Sequence, residues 1–252
     1  MNATERVVDI VETLAAASGA CGVSEISRQL GIGKSSVYRT LAALEDSGWV
    51  QQDSETRKYS LTGALARVGF NALSQLDIQE VASPHLHHLQ DVTGETSALC
   101  LRTDLERVYI DSVPSTHELR QVLTLGKRFN LWYGSAGKVM LAFMPEEEIE
   151  AVLAKFMASD DPVVRPSQSA MEALRAELAE IRRQGFSAGL GQRNTQVCSV
   201  AAPIFNHEQK VVASLVVSGP LPRFNLELAL HCSTLVADEA RKISRSLGAE
   251  IE

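Results

Sequence analysis

The chain has no apolar run near the roughly 20 residues that a membrane-spanning helix requires, so no such helix is expected. Its first residues do not read as a signal peptide, because Glu5, Asp9 and Glu12 interrupt the apolar positions, and the cytoplasm is the expected compartment. Cysteine is scarce. Cys21, Cys100, Cys198 and Cys232 are scattered with no CxxC pair, which argues against a zinc ribbon or disulfide framework and for buried free thiols. Positive charge is short too, with 24 Lys and Arg against 31 Asp and Glu and a net charge of −7. That excludes the domain-wide basic footprint common among nucleic-acid binders. The chain shows no internal repeat, no low-complexity tract and no nucleophile-elbow motif.

What is present is apolar substance: 252 residues, 45% hydrophobic and 22% charged, enough for two domains with a core each. The segment Gly22–Leu44 reads as two short helices joined by a tight turn. Ser24 is the expected N-cap of the first, where its hydroxyl would accept an unpaired amide. Ile26 and Leu30 share one face, and Gly31 follows where a helix end calls for positive φ. The second helix starts near Lys34–Ser36 and stacks Val37, Leu41 and Leu44 on a buried stripe. Lys34, Ser35, Ser36, Tyr38 and Arg39 then point outward, a set of donors suited to phosphate oxygens and base edges. Met1–Leu61 holds six basic and eight acidic residues, a net of −2, but Arg28 to Arg39 holds three positive charges and no negative one. Trp49–Gln52 and Lys58–Leu61 alternate as strands around a polar loop, with Arg57 and Lys58 at the tip of the hairpin. A helix-turn-helix followed by such a hairpin is a winged helix-turn-helix, with Arg28, Lys34, Ser35, Ser36, Tyr38, Arg39, Arg57 and Lys58 as candidate contacts to double-stranded DNA.

These stretches, ERVVDIVETLAA, SEISRQLGIGKSSVYRTLAALEDSGWV and RKYSLTGALARVG, together with the later GSAGKVMLAF, VAAPIF and VVASLVVSGP, resemble the IclR family of bacterial transcription regulators over nearly the whole chain. The resemblance implies a homodimer or homotetramer that binds operator DNA and senses a small metabolite through a GAF/profilin-like C-terminal domain. Repression of a neighbouring catabolic operon is the commoner mode that it implies.

The remaining chain reads as α+β. Thr4 is the expected cap of a first helix reaching about Ser18, and Leu61–Leu73 reads as a linker helix with a thin face. The domains are accordingly placed at 1–63 (winged helix-turn-helix), 64–78 (linker helix) and 79–252 (effector binding and oligomerisation). Asp77–Thr93 is a helix whose His85, His87 and His88 read as a solvated surface rather than a metal site, since no acid lies near them on that helix face. Strands are expected at Ser97–Arg102, Val108–Val113, Arg120–Leu125, Phe186–Leu190, Cys198–Phe205 and Val211–Ser218. Helices are expected at Gly134–Phe143, Glu146–Phe156, from a Ser169 cap to Gln184, and at Leu226–Leu247, with a loop at Pro162–Pro166. Strand pairs separated by helices, without βαβ alternation, point to a mainly antiparallel sheet covered by helices.

Gly134-Ser135-Ala136-Gly137-Lys138 opens a helix with small residues, which lets a ligand approach exposed amides at the positive helix end. Carried over from the resemblance, the effector-contacting pair falls on Ser135 and Ala136, a polar position on Ser199, two hydroxyl positions on Val216 and Ser218, and an acidic position on Gly189. Gly189 and Val216 depart from the family pattern, which implies a roomier and less polar pocket. Trp132 and Tyr133 add aromatic wall, and Arg193 is a candidate partner for a carboxylate held by the Ser135–Gly137 amides. The expected effector is therefore an aromatic or acyl compound with one carboxylate or carbonyl. Lys138 reads as a structural ion-pair former. No cofactor, metal or catalytic residue is expected. Two other classes compete: a thiol hydrolase using Cys198 or Cys100 with a histidine, and a winged-helix interaction module that does not bind DNA.

Overall fold

The computed structural model describes residues 2–17, 19–74, 77–158, 167–190 and 196–251, which fall into two compact units, Met1–Gln75 and Leu76–Glu252. In the first unit, α1 (Ala3–Ala16), α2 (Val23–Leu30) and α3 (Lys34–Asp46) precede the hairpin β1 (Val50–Gln52) and β2 (Tyr59–Leu61), and α4 (Gly63–Ser74) follows. Ile10, Ile26, Val37, Leu41 and Tyr59 are buried at its centre, one or two each from α1, α2, α3 and β2. Gly31 takes φ 67° between α2 and α3, a left-handed conformation that a side chain would resist. Ser27 locks that turn by donating to the Ile32 carbonyl at 2.6 Å.

Two caps differ from the sequence expectation here. Asn2, not Thr4, caps α1 in a reciprocal box with Glu5. The first residue of α2 is Val23, so Ser24 lies inside it, and Glu25 reaches back to accept the Gly22 amide at 3.0 Å. In both cases two cap-competent positions lie within a few residues, and where the chain enters the helix decides between them.

The second unit is built on a six-stranded sheet. Its elements are α5 (Ile78–Thr93), β3 (Thr96–Thr103), β4 (Glu106–Val113), β5 (Arg128–Asn130), α6 (Ser135–Ala142), α7 (Glu146–Met157), α8 (Gln168–Gln184), β6 (Ser187–Leu190), β7 (Val197–Phe205), β8 (Val211–Pro220), α9 (Leu226–His231) and α10 (Ser233–Ser246). Strand order is β5-β4-β3-β8-β7-β6, antiparallel throughout. The fold is thus α+β. Alternation along the strands separates two cores. Leu99, Val200, Ile204, Leu215 and Val217 face α5 and α10, while Ala98, Cys100, Ala201 and Val216 face α6 and α8. The face toward α6 is made of small side chains, so that helix lies close on the sheet, with Ser214 donating to the Ala136 carbonyl at 3.2 Å.

Several expectations are corrected in this unit. Arg120–Leu125 is not a strand. Its alternation is strand-like, but the edge of β4 pairs instead with Arg128–Asn130, and Leu119, Val122 and Leu125 are left exposed. The expected final helix is two, α9 and α10, broken at Cys232. Ser167, not Ser169, caps α8 by accepting the Ala170 amide at 3.2 Å. His85 is not solvated: it contacts the buried Glu239 carboxylate, which α10 supplies from 154 residues further along. Lys138 does form an ion pair, with both Glu177 oxygens at 2.7 Å. The Pro162–Pro166 loop falls outside the described residues. No described helix is long and apolar enough to cross a membrane.

Candidate nucleic-acid interface and effector site

In the first unit, α3 presents Lys34, Ser35, Tyr38 and Arg39 to solvent and Ser36 in part, as its buried stripe dictates. Gly33 caps the helix with no side-chain bond, and its carbonyl accepts the Ser36 amide at 2.9 Å. The hairpin loop is shaped by Asp53, whose carboxylate accepts the Thr56 amide and hydroxyl, each at 2.7 Å, and the Glu55 amide at 3.1 Å. Those bonds, the Thr56 amide first, hold the Asp53 carboxyl below its ordinary range. Arg57 sits at φ 58° and is fixed through its carbonyl, which accepts from Gln52 at 3.0 Å.

A cleft of about 530 Å³ brings together Arg28, Tyr38, Arg57 and Lys58 from α2, α3 and the hairpin. Glu25 lies in the same cleft, 3.8 Å from Lys58. Lys34, Ser35 and Ser36 do not line it, and neither does Arg39, which lines a second cleft of about 600 Å³ with Arg6. Arg6 was missed by sequence reasoning because it lies on α1, outside the helix-turn-helix pattern.

In the second unit, Ser135 and Ser199 meet at the first turn of α6. Gly134 takes φ 75° before it and provides no side-chain cap. Ser135 donates to the Ser199 carbonyl at 3.1 Å, and the Ser199 hydroxyl donates back to Ser135 Oγ at 2.9 Å. Gly189, Ser199, Ser218 and Thr96 are successive cross-strand neighbours on β6, β7, β8 and β3. Val216, two residues before Ser218, lies on the same face, between Ala201 and Ala98. Ser218 Oγ is buried and has no hydrogen-bond partner. Trp132 is buried, stacked on Phe156 with centroids 4.4 Å apart and edge-on to Tyr133 at 6.4 Å. Arg193 lies outside the described residues.

The structure also shows a residue that sequence reasoning missed. Arg107 of β4 is 4% exposed, and its guanidinium lies over the rings of Tyr109, Phe129 and Tyr133 at 5.2, 5.2 and 5.9 Å. It stands against α6, so a Cβ at Gly137 would come within 3.0 Å of its Nε. The one available signal was its two-residue spacing from Tyr109, which shares its face.

The thiols do not suit a hydrolase. Burial pushes Cys100 up, an effect that Arg107 only partly offsets, and burial also raises Cys198. Among the described residues no group of three or more His, Cys, Asp or Glu is placed to hold a metal.

A winged helix-turn-helix followed by an α+β domain with a six-stranded antiparallel sheet is the organisation of a DNA-binding transcription regulator. Family comparison agrees: the IclR helix-turn-helix domain matches residues 3–54, and the C-terminal domain of the bacterial transcriptional regulator IclR matches residues 70–245. The HTH-type transcriptional regulator KdgR of Escherichia coli is 31% identical over 229 residues, covering 90% of this chain and 86% of its own. The E. coli HTH-type transcriptional repressor AllR is 28% identical over 246 residues, covering 98% and 90%. Among solved structures, Pseudomonas aeruginosa HmgR superposes with a TM-score of 0.82 at 29% identity over the full length of both chains. Thermotoga maritima IclR superposes with a TM-score of 0.62 at 29% identity, covering 99% of this chain and all of its own. The chain belongs to the IclR family: it is a DNA-binding transcription regulator and not an enzyme.

Proposed function

We propose that this regulator represses a catabolic operon as a homodimer or homotetramer and is released or recruited by a small carboxylate with a partly apolar, aromatic or acyl body. The observation that carries the reading is the cross-strand row Gly189–Ser199–Ser218–Thr96 beneath the uncapped N-terminus of α6. It combines hydroxyl donors, one of them the orphaned Ser218, with the positive end of a helix dipole. Glycine at 189 and valine at 216 leave no charge on the strands there, which favours a substituent larger and less polar than a short hydroxy or oxo acid. Two recognition helices would enter successive major grooves about 34–36 Å apart. Effector binding controls DNA only by favouring one spacing of those helices over another.

The decisive experiment pairs calorimetric titration against a panel of carboxylates with gel shifts on the promoter region of the chain's own gene. Binding of an aromatic or acyl acid that changes the gel shift supports the reading. Preference for glyoxylate or pyruvate rejects the effector class, and indifference to the promoter DNA at low ionic strength rejects the function.

A further inference from the structure

We propose that Arg107 is the cation that receives the effector's carboxylate, a proposal that rests on the sensor reading above. Among the described residues, Arg107 is a buried charge without a counter-charge. Arg107 is 4% exposed, and its hydrogen bonds run only to Cys100 Sγ at 3.7 Å and the Tyr133 carbonyl at 3.5 Å, both long. Its Nε has no partner, and no described carboxylate lies within ion-pair distance of the guanidinium. A buried cation in that condition is costly, and the three aromatic faces around it compensate less than an anion would.

The second source of positive potential lies beside it. The N-terminus of α6 is uncapped, and Gly134 and Gly137 let the helix approach so closely that Cβ atoms there would stand 3.3 and 3.0 Å from guanidinium nitrogens. A helix N-terminus and an arginine repel each other unless an anion lies against both. The planar fork of a guanidinium matches a carboxylate bidentately, which a chloride or a neutral amide cannot reproduce. The rings of Tyr109, Phe129 and Tyr133 that surround the guanidinium make its setting apolar, which suits a carboxylate on an apolar body better than a small hydrated anion. The occupant is therefore an organic carboxylate with an aromatic or alkyl body.

The test titrates the full-length protein with benzoate, phenylacetate and octanoate and with the corresponding amides, by calorimetry and thermal unfolding, in the wild type, Arg107→Met and Arg107→Lys. At least one carboxylate should bind the wild type more than tenfold tighter than its amide. Arg107→Met should abolish that preference while leaving amide binding unchanged. It should also unfold at or above the wild-type temperature, because an apolar side chain of similar length replaces an uncompensated charge. Arg107→Lys keeps the charge but not the fork, and should lose carboxylate affinity several-fold. The proposal is overturned if the wild type does not prefer any carboxylate over its amide, or if the preference survives Arg107→Met. Should the Met variant not fold, wild-type discrimination by Arg107→Lys overturns it equally. Gel shifts separate the two readings: variants that grip promoter DNA normally leave the regulator intact whatever calorimetry finds, and a wild type that ignores DNA leaves the carboxylate result standing.

Discussion

Gly137→Ala is the most informative single substitution in the sensor domain, because two opposite expectations meet at it. Gly137 is the third residue of α6, and alanine in place of glycine within a helix is ordinarily worth about 1 kcal/mol of stability. Here the new Cβ would lie 2.5 Å from the Leu131 carbonyl oxygen, 3.0 Å from its carbon and 3.0 Å from Arg107 Nε. Backbone atoms do not yield as a side-chain tip does, so α6 must slide. It is tied down on both sides, by Ser135 to the Ser199 carbonyl at 3.1 Å, Ser214 to the Ala136 carbonyl at 3.2 Å, and Lys138 to Glu177 at 2.7 Å. Overpacking against so fixed a neighbour, with backbone at 2.5 Å, falls in the upper part of the usual range at about 2–3 kcal/mol, which outweighs the helix gain and leaves a net loss of about 1–2 kcal/mol. In a domain of this size that lowers Tm by about 2–8 °C. Urea and thermal unfolding followed by circular dichroism would read it, with Gly63→Ala as the control, since a Cβ there meets nothing within 4 Å. Effector affinity should fall in parallel, because the amides move. An unchanged or more stable Gly137→Ala protein would refute the close-approach argument.

Three further outcomes are expected. Arg39→Ala should weaken operator binding by about 1–3 kcal/mol and relax sequence preference if Arg39 reads a base, whereas Lys58→Ala should weaken all sequences alike and reduce the salt slope by about 1; gel shifts at several salt concentrations separate the two. Glu95 is 3% exposed and holds Arg223 bidentately at 2.5 and 3.0 Å, so Glu95→Gln should cost about 2–3 kcal/mol in denaturant unfolding. Burial opposes the charge of Glu239, but hydrogen bonds from His85 and Lys242 outweigh it and hold the carboxyl below its ordinary 4.5, with His88 the other group facing it at 3.9 Å. A depressed folded pKa means its stabilisation is complete above 4.5 and disappears as pH falls through the lower folded value; Glu239→Gln should flatten that acid limb in pH-dependent unfolding.

The helix-turn-helix was legible because its signals are local. Val37, Leu41 and Leu44 mark a helix face within eight residues, and Gly31 marks the turn beside it. The short apolar, β-branched run Val211–Val217 likewise announces a strand without any partner in view. Caps were less legible, since Asn2 and Thr4, or Ser167 and Ser169, offer the same chemistry two residues apart. Arg120–Leu125 carries a strand pattern, and only the capture of the β4 edge by Arg128–Asn130 decides against it.

Composition, periodicity and motif spacing thus determined a winged reading head and a second domain of α+β class, because hydrophobic period and turn chemistry act between residues close in sequence. Which polar groups meet was left to the tertiary structure: Ser135 finds Ser199 across 64 residues, His85 finds Glu239 across 154, and Arg107 is enclosed by α6 and three aromatic rings. Long-range pairing costs loop entropy and is selected by the packing of the whole sheet, so no local pattern encodes it.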